Sequence, residues 1–139
     1  MAYNILVVDD SKIVRAVVSR TLKIAGVDVG QIYEAANGKE ALAVLEANWI
    51  DIVFADINMP EMNGIEMVGK MREKGLMDSI PVVIVSTERS VTRIAELKAG
   101  GVRAYLSKPF TPESIREVVE QVLGPAGHPG NKPVAEGQS

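Results

Sequence analysis

The chain has 139 residues, 47% of them hydrophobic, a net charge of -3 and no cysteine. That length and apolar content suit one domain with a core of its own, and neither a disulfide framework nor a thiolate metal site is available to it. No apolar run approaches the roughly 18 residues of a membrane span. The first ten residues lack a basic start and a long apolar segment, and no basic stripe suits nucleic acid. A cytoplasmic protein without membrane or direct nucleic-acid partners is expected.

Asn4 to Val8 reads as a short apolar strand ended by Asp9 and Asp10. Ser11 then precedes a helical pattern in which Ile13, Val14, Val17, Val18, Leu22 and Ile24 form one apolar face, stopped by Gly26. Gln31 to Ala36 is a more polar second strand, closed by Asn37 and Gly38. The second helix turns Ala41, Leu42 and Leu45 inward, and Trp49 beyond it is expected as a partly buried anchor. Ile52 to Ala55 is a short, β-branched and aromatic run that reads as a buried third strand ending on Asp56. Pro60 lacks an amide hydrogen and disfavours helix at Met59, so the chain turns before Asn63 caps the third helix, with Ile65, Met67, Val68 and Met71 inward. Pro81 opens strand 4, Val82 to Val85, which ends on Ser86 and Thr87. Helix 4 runs from about Val91 to Ala99 with Ile94 and Leu97 on its apolar side. Strand 5, Val102 to Ser107, ends on Lys108 and Pro109. Thr111 and Pro112 are cap and first turn of helix 5, with Ile115, Val118, Val119 and Val122 as its stripe. An ordered unit over 1–123 is therefore expected, followed over 124–139 by a tail too poor in apolar side chains to order itself, a disordered end or linker stub.

Five strands alternating with five helices through short connections predict an α/β fold, a five-stranded parallel sheet covered on both faces. Ligands of such sheets bind beyond the carboxyl ends of the strands, where the strand order reverses. Here strands 1, 3, 4 and 5 end in Asp9 and Asp10, Asp56, Ser86 and Lys108, while strand 2 ends in alanines. In the flavodoxin-like order 2-1-3-4-5 the blank tip falls on an edge strand, where it should. Three carboxylates in one crevice repel one another, so they share protons or hold a hard cation. Magnesium suits carboxylate and phosphate oxygens, and aspartate is an established covalent phosphoryl acceptor.

VVDD at Val7 to Asp10, DINMPEMNG at Asp56 to Gly64, VST at Val85 to Thr87 and YLSKPF at Tyr105 to Phe110 together resemble the receiver domain of bacterial response regulators, over about residues 4 to 123. The resemblance implies the 2-1-3-4-5 order and a phosphoacceptor switch of two-component signalling rather than a turnover enzyme. It implies that Asp56 takes a phosphoryl group from a phosphohistidine on a sensor histidine kinase or phosphotransfer protein. Asp10, Asp56 and the backbone carbonyl of Asn58 would hold Mg, with Asp9 acting largely through a metal-bound water. Lys108 would pair with the phosphoryl oxygens, Ser86 would be the switch hydroxyl and Tyr105 the switch aromatic, and the bond from Lys108 to Pro109 would be cis. Asn58 and Glu88 would tune the lifetime of the acyl phosphate. A downstream protein would read the face of helix 4, strand 5 and helix 5 at Ile94, Lys98 and Tyr105.

Blander readings stand beside these. Asp9 and Asp10 suit capping of helix 1, Ser86 an ordinary strand end, and Tyr105 plain packing. Lys12, Arg15, Lys70 and Arg72 read as solvated faces, and His128, the one histidine, as solvent-facing. A haloacid-dehalogenase-type phosphatase also uses an aspartate nucleophile with magnesium, but wants an Asp-x-Asp pair after the first strand. A receiver-like module that binds partners without phosphorylation would usually have lost an acid or the lysine. A stand-alone chemotaxis-like regulator, an excised receiver of a larger protein and a phosphorelay shuttle would share this sequence pattern.

Overall fold

The computed structural model describes residues 2–87 and 90–124. Glu88, His128 and the rest of the expected tail from 125 lie outside the described residues. The elements alternate as β1 (Tyr3–Val8), α1 (Lys12–Ile24), β2 (Val29–Ala35), α2 (Gly38–Ala47), β3 (Ile52–Ala55), α3 (Gly64–Glu73), β4 (Val82–Ser86), α4 (Val91–Ala99), β5 (Ala104–Ser107) and α5 (Pro112–Leu123). A 3-10 turn over Leu76–Asp78, which the sequence pattern does not signal, follows Gly75 in the left-handed region at φ 77. All strands pair in parallel in the order β2-β1-β3-β4-β5, as expected. The strands start or stop a residue or two from the expected places, β5 at Ala104 rather than Val102.

Alternation along the strands builds two cores. Leu6, Val8, Val53, Ala55, Val82 and Ile84 pack under α2, α3 and α4, meeting Leu45, Met67, Met71 and Leu97. Ile5, Val7, Ile52, Phe54, Val83 and Val85 face α1 and α5, meeting Val18, Leu22, Ile115, Val118 and Val119. Covering on both sides is why the inner strands β1, β3 and β4 are apolar at successive positions rather than at every second one, whereas the edge strand β2 exposes Gln31 and Glu34.

Caps fix where the helices begin. Ser11, Asn37, Asn63, Ser90 and Thr111 each accept a backbone N–H of the first turn through the side chain. Ser11, not Asp9 or Asp10, therefore caps α1, which leaves both carboxylates for other work.

Three packing expectations fail, one of them Ile65 of α3, which is 38% exposed rather than turned inward. In α1 only Val18 and Leu22 are buried, whereas Ile13 is 77% and Ile24 66% exposed and Val17 is exposed too. At about 100° per residue, Ile13, Val17 and Ile24 form a second stripe roughly a third of a turn from Val14, Val18 and Leu22, too wide a spread for one face. Trp49 is 78% exposed rather than an anchor. Asn48 leaves α2 in an extended conformation, so alternation sends Ile50 into the core and Trp49 outward, where its indole N–H donates to Asp51 at 3.1 Å.

Candidate functional site

Strand register assembles the rim. Val8 lies level with Ala55, so Asp9 and Asp56 leave the sheet side by side. Ala55 is level with Ile84 and Ser86 with Ser107, which places Ser86 and Lys108 slightly farther out on the same edge. Asp9, Asp10 and Asp56 each bring a carboxylate oxygen within 4.8 Å of the others. The Lys108 Nζ lies 3.2 Å from Asp9 Oδ2 and 3.7 Å from Asp56 Oδ2, so the ammonium donates to Asp9 and faces Asp56 as a charge. These four residues meet as the sequence pattern anticipates.

Asp9 is buried and Asp56 partly so, while Asp10 is exposed and makes no hydrogen bond or ion pair among the described residues. Burial pushes the Asp56 carboxyl above its ordinary value, with the Asp9 charge adding to the shift. Lys108 and the backbone N–H groups of Ile57 and Asn58 oppose it. The physical content is a carboxylate short of solvation, which any added positive charge would stabilise. Three oxygen-donor side chains beside one another form a hard donor set, chemically suited to a divalent cation such as magnesium.

The loop after Asp56 is held by backbone bonds together with the Asp56 carboxylate and a side-chain cap. Ile57 N–H donates to Asp56 Oδ1 at 2.8 Å, and Gly64 N–H returns to the Ile57 carbonyl at 2.8 Å. A Cβ on Gly64 would collide with the Asp56 carbonyl, so only glycine lets α3 start this close to the strand tip. Gly38 N–H donates to the Met62 carbonyl at 2.9 Å, tying the loop to the start of α2, and Glu61 adopts φ 63 to make the turn. Asn63 and Glu66 close a reciprocal capping box beyond it. Asn58 is exposed in this loop.

Ser86 is buried at the end of β4, and its carbonyl joins two neighbours: Lys108 N–H donates to it at 2.9 Å and the Tyr105 hydroxyl at 3.2 Å. Tyr105 is half-buried on the α4 side of the sheet, so a single peptide oxygen connects the acidic rim to that face. Ile94 is half-buried and Lys98 exposed on α4, whose one buried residue is Leu97. The Lys108–Pro109 bond is cis, as the resemblance implies.

Arg15 is the residue the sequence pattern undervalues. Its side chain is 14% exposed, with Nη1 donating to the Asp9 carbonyl at 2.6 Å and Nε to Glu34 Oε1 at 2.8 Å. The available signal was its place one helical turn past the Ser11 cap, beside the acidic pair. Arg72 likewise reaches the Gly100 carbonyl at 2.7 Å rather than standing free in solvent.

The family model described as the response regulator receiver domain matches residues 5–120. A chemotaxis protein CheY homolog of Campylobacter jejuni is 38% identical, with 87% of this chain and 92% of that protein covered. Chemotaxis protein CheY1 of Helicobacter pylori is also 38% identical, over 87% of this chain and 97% of its own length. Among solved structures, the chemotaxis response regulator CheY4 of Vibrio cholerae superposes with a TM-score of 0.78 at 36% identity, covering 88% of this chain and 100% of that one. The matched span takes in β1 through most of α5, and with it every strand tip that carries an acid, a hydroxyl or the lysine. The chain belongs to the response regulator receiver domain family of two-component signalling.

Proposed function

We propose that this receiver accepts a phosphoryl group on Asp56 from a phosphohistidine of a sensor histidine kinase or phosphotransfer protein, with magnesium held by Asp9, Asp10, Asp56 and the Asn58 carbonyl. The observation that carries the reading is the Lys108 ammonium lodged between Asp9 and Asp56 in a cluster of three carboxylates. A carboxylate oxygen of Asp56 forms the new O–P bond as the P–N bond to the donor imidazole breaks, and the imidazole leaves with the bonding pair and takes up a proton. Positioning and charge neutralisation carry most of such a transfer. Bound magnesium would neutralise charge developing on the phosphoryl oxygens. Lys108 moves its attention from Asp9 to those oxygens, a short path given its present distances. Ser86 donates its hydroxyl to the phosphoryl group, and Asn58 and Glu88 set how fast water removes it.

Output follows from the shared Ser86 carbonyl. When Ser86 shifts toward the phosphoryl group, the acceptor of the Tyr105 hydroxyl moves with it, and Tyr105 repacks against α4. A downstream protein reading Ile94, Lys98 and Tyr105 responds through its different affinity for the two forms. The chain covers 92% and 97% of two chemotaxis relatives, which supports a chemotaxis role for the receiver of residues 1–123.

The test is incubation with magnesium and a small-molecule phosphodonor, followed by intact mass. Uptake of one phosphoryl group that Asp56→Asn abolishes supports the assignment. Uptake by the variant, or hydrolytic turnover of a generic phosphomonoester, would overturn it. Pull-downs with and without a phosphoryl mimic then separate a terminal output partner from a second phosphotransfer protein.

A further inference from the structure

The structure assigns Arg15 a positioning role: its guanidinium, braced by Glu34, clasps the Asp9 carbonyl and thereby sets the direction of Asp10 toward the cation site. The inference rests on the phosphoacceptor reading above. Asp9 is anchored at four points. Its N–H donates to Ala35 O, Oδ1 accepts the Ser11 N–H, Oδ2 accepts from Lys108, and its carbonyl accepts from Arg15. Asp10 has nothing comparable, being exposed and without a hydrogen bond or ion pair among the described residues. What orients Asp10 is the peptide plane it shares with Asp9, and the carbonyl of that plane is the one Arg15 holds at 2.6 Å.

The clasp needs a fork. Nη1 reaches Asp9 on the rim while Nε reaches Glu34 on β2, the edge strand whose own tip carries no chemistry. A lysine offers a point charge and cannot span both partners. Glu34 also offsets the positive charge, so the guanidinium steadies the acidic loop without adding net charge beside it. The edge strand thereby contributes to the site through Glu34, one residue before its end.

The experiment compares wild type with Arg15→Lys, Arg15→Met, Glu34→Gln and Glu34→Ala, using magnesium alone as probe in titration calorimetry. Residues that orient metal ligands typically contribute about tenfold to a hundredfold in affinity, so both Arg15 variants are expected to weaken magnesium binding by about tenfold or more. Glu34→Gln, which keeps an oxygen acceptor for Nε, is expected to lose less than Glu34→Ala. In the metal-free protein, amide exchange at Ser11 is expected to quicken in Arg15→Lys while that at Ile57 stays at the wild-type rate. Wild-type affinity in Arg15→Lys, or tighter binding in Arg15→Met, would show that charge alone matters and would overturn the proposal. Equal quickening at Ser11 and Ile57 would show general loosening and would overturn it as well. If wild type itself neither binds magnesium nor takes up a phosphoryl group, the phosphoacceptor reading fails, and the clasp stands or falls on the Ser11 exchange.

Discussion

Asp51 and Asp56 flank the same four-residue strand and face opposite chemistry. At the entry to β3, Asp51 is fully employed: Oδ2 accepts the Asn4 N–H at 2.7 Å and Oδ1 the Trp49 indole N–H at 3.1 Å. At the exit, Asp56 sits among two other carboxylates with one ammonium to share, and burial pushes its carboxyl upward. One acid is consumed in tying its own loop to the start of β1. The other is left under-solvated, a state that added positive charge would relieve.

The largest test of the contrast is Asp56→Asn, which is expected to abolish phosphoryl uptake while Asp51→Asn leaves it at the wild-type rate, both read by intact mass. Asp56→Asn should also raise the melting temperature of the metal-free protein at neutral pH. The raised folded-state value means that the unfolded chain releases the proton more readily, so ionised Asp56 costs stability at neutral pH. That cost fades as pH falls through the raised value and is gone below the ordinary carboxylate value of about 3.9. The melting-temperature gain of the variant should therefore shrink on acidification, and a gain that persists at low pH would refute the account.

Lys108→Met comes next. Removing a charge aimed at developing anionic oxygens commonly costs about a hundredfold or more in rate, so phosphoryl uptake from a small donor should slow by about that factor. The quench-flow rate at saturating magnesium checks it.

Asp51→Ala is the mirror experiment. Losing hydrogen bonds to a charged acceptor at a half-exposed position should cost about 1–2 kcal/mol in urea unfolding, without changing uptake. The smallest effect belongs to Tyr3, whose buried hydroxyl makes no hydrogen bond with a described residue. Tyr3→Phe removes an unsatisfied polar atom and keeps the ring, so unfolding should shift by less than about 0.5 kcal/mol in either direction.

Most of the fold was legible because its signals are local. The apolar runs at Ile5 to Val8 and Ile52 to Ala55 and the caps Asn63 and Thr111 each act within a few residues, and each appears where the pattern puts it. The acids and the lysine of the rim could also be read, because alternating strands and helices bring every strand's carboxyl end to one edge. Trp49 and the Ile13, Val17 and Ile24 stripe were misread because burial depends on which neighbour covers a side chain, and hydrophobicity alone does not name the neighbour. Arg15 escaped for the same reason: its partners, the Asp9 carbonyl and Glu34, lie on two different strands.

The sequence by itself determined the order of elements, the parallel sheet and the set of chemically able residues at its tips, since periodicity, caps and turns are written into neighbouring positions. Only the tertiary structure decided how those residues share their charges. It placed the Lys108 ammonium nearer Asp9 than Asp56, spent Asp51 on Asn4 of β1 and the Trp49 indole, and hung Tyr105 on the Ser86 carbonyl. Hydrogen bonds and ion pairs across strands depend on ångström distances between residues far apart in the chain, and such distances exist only once the sheet has closed its register.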